Sequence, residues 1–177
     1  MHNSKIKSII WVLLFIMVVS CNSSKPEEKN QPSRQEITDI LLGANTMLID
    51  AEEQEINDFI DRYGWDMQDT GSGLKYMIYE KGDGPVAQKD QIAMIHYSIS
   101  LITGDLVYSS RDNGIKGFRI GQGGVESGLE EGILLLRVGD KARFIMPSHL
   151  AHGVPGDGVK IPQRATIIYD LELVDLK

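Results

Sequence analysis

The sequence predicts an α+β domain, an antiparallel sheet with one short helix on one face, preceded by a helical arm. Two periodicities carry that prediction. From Leu74 onward apolar residues recur at every second position, the rhythm of half-buried strands. Between Arg34 and Tyr63 they recur three and four apart, the rhythm of a helix face. Within the strand-like part a single stretch, Gly128-Leu129-Glu130-Glu131-Gly132-Ile133, reads as helix, which gives the layered α+β arrangement. No internal repeat is visible.

The chain has 177 residues, enough for one ordinary domain with appendages. Apolar residues make up 42% and charged residues 24%, values of a globular protein. The net charge of -7 argues against nucleic acid as a partner, because phosphate binding needs clustered Lys and Arg.

The N-terminus reads as a targeting segment. Lys5 and Lys7 precede the apolar run Ile9 to Val19, which is shorter than the roughly 20 residues of a spanning helix. The run ends in Val18-Val19-Ser20-Cys21, which resembles a bacterial lipobox. Residues 1–20 are therefore expected to be a lipoprotein signal, with Cys21 lipidated and anchoring the protein to a membrane. Cys21 is the only cysteine, so no intrachain disulfide can form. Loss of residues 1–20 removes two lysines and no acid, taking the charge from -7 to -9. Residues 21–33 are small, polar and proline-bearing and read as a flexible tether.

Residues 34–70 form the expected helical arm. Ile37, Ile40, Leu41, Ala44 and Leu48 make one stripe, and Ile56, Phe59, Ile60 and Tyr63 continue it after the acidic pair Glu52-Glu53. Two helices, or one helix broken near Asp50, fit this pattern. The stripe suits packing on the following domain, and residues 34–63 suit homodimerisation with a second copy. The strands follow in order: Leu74 to Gly82, a long strand and its return around a Thr103-Gly104 turn within Gln91 to Ser110, then "GFRIGQG", "KARFIMP" and "ATIIYDLELVDL".

Three segments, "IHYSISLITGDLVYSS", "GQGGVESGLEEGILLLRVGDKARFIMP" and "GVPGDGVKIPQRATIIYDLEL", resemble the FKBP-type peptidyl-prolyl cis-trans isomerases in order and spacing. The likeness covers residues 71–177 and is most specific at Val125 to Gly132 and at Ile161-Pro162. The lipobox, the arm and the C-terminal position of the domain are similar to bacterial lipoprotein members, including those associated with gliding motility. The resemblance implies a bent antiparallel sheet wrapped around the short helix and a small apolar pocket for proline. It places Leu129 on the pocket floor, with Glu130 and Glu131 facing water. Tyr97 and His152 complete the catalytic set. Val107, Tyr108, Phe118, Val125, Ile161 and Tyr169 line the substrate site, and the backbone N–H of Glu126 donates to a substrate carbonyl.

The implied chemistry needs no cofactor and no metal. Rotation about an X–Pro amide is opposed by a resonance barrier of roughly 18–20 kcal/mol. A dry pocket withdraws the water that favours the planar, more polar amide and so favours the twisted one. Five positions depart from the family pattern: Leu129 for tryptophan, Val107 for phenylalanine, Tyr108 for aspartate, His152 for tyrosine, and Lys116 near an aromatic position. His96 points away from Tyr97 on its strand and reads as structural. His149 and His152 lack a third metal ligand beyond Asp157. The resemblance implies an isomerase acting on proline-containing exported polypeptides in the cell envelope. The alternative is a catalytically weak binding or chaperone module of an envelope machine.

Overall fold

The structure is a computed structural model that describes residues 33–177. The signal segment, Cys21 and all of the tether except Ser33 lie outside the described residues. The chain divides into two compact units, one ending at Gly43 and one spanning Ala44–Lys177.

Helix α1 runs unbroken from Arg34 to Tyr63. No interruption occurs at Asp50, because neither proline nor a turn signal stands there. Ser33 starts the helix with a reciprocal cap: its hydroxyl accepts from Glu36 N–H at 3.2 Å, and its own N–H donates to Glu36 Oε2 at 2.6 Å.

Seven strands follow: β1 Gln68–Asp69, β2 Lys75–Glu80, β3 Ile92–Leu101, β4 Leu106–Ser109, β5 Lys116–Arg119, β6 Lys141–Met146 and β7 Ile167–Leu176. They form one antiparallel sheet in the order β1-β2-β6-β7-β3-β4, with β5 also paired to β3. The long strands β3 and β7 make its centre, with Tyr97 opposite Leu171 and Ile99 opposite Tyr169. Register shifts at Met94/Ile95, Ile78/Glu80 and Ile99/Ser100 bend the sheet, as bulges do. The β3–β4 turn closes with Gly104 N–H donating to Leu101 O, and Gly104 takes φ 96°, a conformation that favours glycine.

Alternation assigns the two faces. Ala142, Phe144 and Met146 of β6 and Ile167, Tyr169, Leu171 and Leu173 of β7 are buried on the concave face. Helix α3, Ser127–Ile133, fills that concavity with Leu129 and Ile133. Gly132 lets it sit against the sheet, since a Cβ there would stand 2.6 Å from the Phe144 ring. On the other face Ile145 and Ile168 are covered by Ile56 and Phe59 of α1, with Ile60, Trp65 and Met67 around them. The Ile56–Phe59 part of the arm's stripe thus packs on the sheet, and Ile40 and Leu41 remain exposed. Helix α2, Ser110–Asn113, is a single turn after β4 that the sequence pattern did not announce. The first strand, β1, falls inside the residues assigned to the arm.

Candidate active site

The N-terminus of α3, strand β5 and the turn after β6 converge on one cleft. It has a volume of about 320 Å³ and is lined by Lys116, Gly124, Val125, Glu126, Ala151 and His152. Alternation along β5 turns Lys116 to the same face as Phe118. The short 3-10 turn Ser148–Leu150 carries the chain round to Ala151 and His152.

Glu126 is the centre of this cleft. Tyr169 Oη donates to both carboxylate oxygens at 3.0 Å. Lys116 Nζ lies 3.4 Å from Oε2, and His152 Nε2 lies 3.2 Å from Oε1. Lys116 Nζ is also 3.2 Å from Tyr169 Oη and stands 5.7 and 5.8 Å from the ring centroids of Tyr97 and Tyr169. Burial, and then the charge and hydrogen bond of Glu126, push the Tyr169 phenol far above its ordinary range. It remains a donor. The Glu126 backbone N–H has no acceptor among the described residues, which leaves it available to a ligand.

Beneath the cleft lies one apolar body. Val107, Phe118, Leu129, Ile161 and Tyr169 are buried in it, and Tyr97, Tyr108 and Val125 pack against it half-buried. Tyr97 and Tyr169 sit with ring centroids 6.2 Å apart. Of the residues named from sequence, Val125, Glu126 and His152 line the cleft itself. Val107, Phe118, Leu129 and Ile161 belong to the core behind it. Tyr97 packs on that core and lines a second hollow with His96, Ser110 and Leu171, its backbone N–H donating to Ser110 Oγ at 3.2 Å.

A second assembly holds the loop that carries Ile161. Asp157 Oδ1 accepts from the N–H groups of Val159, Lys160 and Ile161 at 2.8, 2.9 and 2.7 Å, and Tyr108 Oη donates to Oδ2. Burial pushes Asp157 up, but these donated bonds, that of Tyr108 foremost, outweigh it and hold the carboxyl well below the usual range. Lys160 Nζ donates to Val107 O at 2.9 Å and lies over the Tyr108 ring. The Tyr108 hydroxyl is therefore committed to the loop.

Glu130 and Glu131 do not simply face water. Glu130 accepts from Gly121 and Gly123 N–H, and Glu131 accepts from Ser72 Oγ, so the pair ties two loops to α3. His149 Nε2 meets Ser72 O at 3.0 Å, whereas His152 turns to Glu126. Among the described residues no cluster of three metal-ligating side chains forms. The sequence reading used Glu126 for its backbone alone and missed its carboxylate, the ammonium of Lys116 and the anchor at Asp157. The Gly156-Asp157-Gly158 turn and the i, i+2 spacing of Lys116 and Phe118 were the signals available for the last two.

The family profile described as FKBP-type peptidyl-prolyl cis-trans isomerase matches residues 84–174. The chain belongs to this family. It is 40% identical over 108 residues to the probable FKBP-type peptidyl-prolyl cis-trans isomerase FkpA of Neisseria meningitidis serogroup B, a match covering 60% of this chain and 39% of that one. The chain thus spans about two fifths of that relative's length. The crystal structure of AtFKBP13 superposes with a TM-score of 0.61 and 31% identity over 64% of this chain and all of that one. FkpA from Escherichia coli shares the fold at a TM-score of 0.64 and 23% identity, covering 97% of this chain and 81% of that one. As an FKBP domain, the chain keeps the bent sheet and the short helix in its concavity. At its cleft it carries the polar set Lys116, Glu126 and His152.

Proposed function

We propose that the protein is a peptidyl-prolyl cis-trans isomerase acting on exported, proline-containing polypeptides. The observation that carries this reading is the gathering of Tyr97, Val125, Leu129, Ile161 and Tyr169 in one apolar body beneath a cleft bordered by Val125, Glu126 and His152, in a chain of this family. The prolyl ring enters against Val125 and Tyr97. The free N–H of Glu126 takes a flanking carbonyl, and His152 meets the substrate backbone on the opposite side. Leu129 and Phe118 back the site, Val107 and Tyr108 border it, and Ile161 is held in place by Asp157. The apolar faces of Tyr97 and Val125 beside the amide and fixed flanking carbonyls lower the barrier to rotation without acid, base or metal. Uncatalysed isomerisation takes tens to hundreds of seconds, so an accelerator serves folding directly.

A protease-coupled assay on a proline tetrapeptide tests this. Acceleration at micromolar protein, reduced by Tyr97→Ala, is the expected result. A dead peptide assay with intact binding of unfolded clients would instead support the weakly catalytic binding module, which the isomerase names of the relatives do not favour.

Three finer parts belong to the same reading. Cys21 is lipidated and holds the protein in the cell envelope; mass spectrometry of the membrane fraction reads the added acyl mass, absent in Cys21→Ser. The exposed Ile37, Ile40 and Leu41 of α1 pair with a second copy; sedimentation of chains with and without residues 34–63 reads the doubled mass. The lipobox and domain order favour service to a gliding machine; deletion followed by complementation with wild type and Tyr97→Ala scores it.

A further inference from the structure

We propose that Tyr169 is a positioning residue: through the Glu126 carboxylate it fixes the Glu126 backbone N–H at the cleft, where that N–H takes a carbonyl of the substrate. The inference rests on the isomerase reading of the cleft and assigns the side chains that keep its backbone donor in place.

Glu126 is held on two sides and open on the third. It stands immediately before α3, with φ −58° and ψ 139°. Its carbonyl accepts from Leu129 N–H at 2.9 Å and from Glu130 N–H at 3.0 Å, as that of a residue at a helix start does. Its side chain does not cap the helix. It turns to the sheet instead, where Tyr169 Oη of β7 donates to Oε1 and Oε2, both at 3.0 Å. Lys116 of β5 supplies the opposite charge. Its Nζ lies 3.4 Å from Oε2 and donates to Tyr169 Oη at 3.2 Å. The Glu126 side chain is 7% exposed, and Tyr169 is fully buried. A carboxylate so placed keeps its donors, because losing one leaves a desolvated charge short of a partner.

Carbonyl and side chain fix two of the bonds at the Glu126 Cα, so the bond to its nitrogen is fixed with them. The chain before it offers little help. Gly124 is exposed, stands at φ 91° and has no side chain to pack. Ser127 Oγ ties the helix start to Leu150 O at 3.3 Å, but beyond the peptide group that carries this N–H. A substrate carbonyl thus meets a donor that is already ordered, and the bond is not offset by the entropy of ordering it. The bond forms on binding and holds while the amide turns, so its loss appears first in KM.

The test uses the full chain. Tyr169→Phe keeps the ring and removes the hydroxyl. Its KM for a proline tetrapeptide is expected to rise about fivefold, the worth of one hydrogen bond, with a smaller change in kcat. A merely structural loss would lower the folded fraction, so that kcat falls with KM unmoved. That result, or unchanged kinetics, overturns the inference. Glu126→Ala keeps the backbone N–H and removes the tether, whereas Glu126→Gln keeps an oxygen for Tyr169. KM is expected to be higher in Glu126→Ala than in Glu126→Gln; equal values overturn the tether, and this pair decides if Tyr169→Phe does not fold. In the chain labelled with nitrogen-15, the tetrapeptide is expected to move the Glu126 amide proton downfield, and to move it less in Tyr169→Phe. An unmoved Glu126 amide in wild-type protein that turns the peptide over overturns the contact to this N–H. Absence of isomerisation by the wild type overturns the isomerase reading itself, and this inference with it.

Discussion

The carboxylate of Glu52 in α1 accepts the N–H of Ser148, 96 positions further along the chain, at 2.6 Å. It also accepts the Ser148 hydroxyl at 2.9 Å and the Thr166 hydroxyl at 2.7 Å. One side chain thus joins the helix to the start of the turn that delivers His152 and to the residue before β7. The second half of α1 is by this contact a working part of the sheet's outer layer.

Glu52→Ala leaves the Ser148 N–H without its partner. A part-buried donor left in this state costs about 1–3 kcal/mol, while the two hydroxyls can turn to water. Thermal unfolding is expected to drop by several degrees. An unchanged midpoint would mean the contact is not made in solution.

Phe59 tests the same layer through packing. It is buried with Ile56 on Ile145 and Ile168 and stacks near Tyr63 and Trp65 at 4.5 and 5.4 Å. Phe59→Ala is expected to cost about 3–5 kcal/mol, read from denaturant midpoints. A loss below about 1 kcal/mol would show that the sheet does not depend on the helix.

Two glycines of α3 separate in their tolerance. A Cβ at Gly132 meets the Phe144 ring at 2.6 Å, whereas one at Gly128 meets the flexible Met146 chain at 2.9 Å. Gly132→Ala should destabilise by about 1–3 kcal/mol, and Gly128→Ala by less, because methionine can shift. Equal effects of the two in chemical denaturation would contradict the packing described.

These glycines also show how far the sequence reaches. Their spacing around Leu129 was readable, as was the alternation of Ala93, Ile95, Tyr97 and Ile99, because both are local patterns fixed by helix and strand periods. The unbroken passage of α1 through Asp50 was not. Its stripe is exposed before Asp50 and packs on the sheet only at Ile56 and Phe59, and only the tertiary contact shows that. Strand β1 is two polar residues, Gln68 and Asp69, and exists by pairing with Tyr76 and Lys75. The apolar half of the candidate site was named from the resemblance to the family. The polar half was not, since Glu126 meets Tyr169 across 43 positions with no motif between them.

Asp157 gives a pH prediction. Its carboxyl is held below the ordinary value in the folded chain, so its contribution is fully present above the unfolded value of about 3.9 and is lost as pH falls below it. Tyr108→Phe removes one of its donors. The difference in melting temperature between wild type and Tyr108→Phe is expected to be largest at neutral pH and to shrink below pH 4. A difference that grows in acid would contradict this assignment.

Exchange spectroscopy on a peptide with one X–Pro bond tests the central claim most directly, because it watches cis and trans signals interconvert without a coupling protease. With the full chain present, exchange between the two signals is expected to appear on the timescale of seconds or faster, and to weaken in Tyr97→Ala. Peptide signals that stay as slow as in buffer, at every concentration of folded protein, would contradict it.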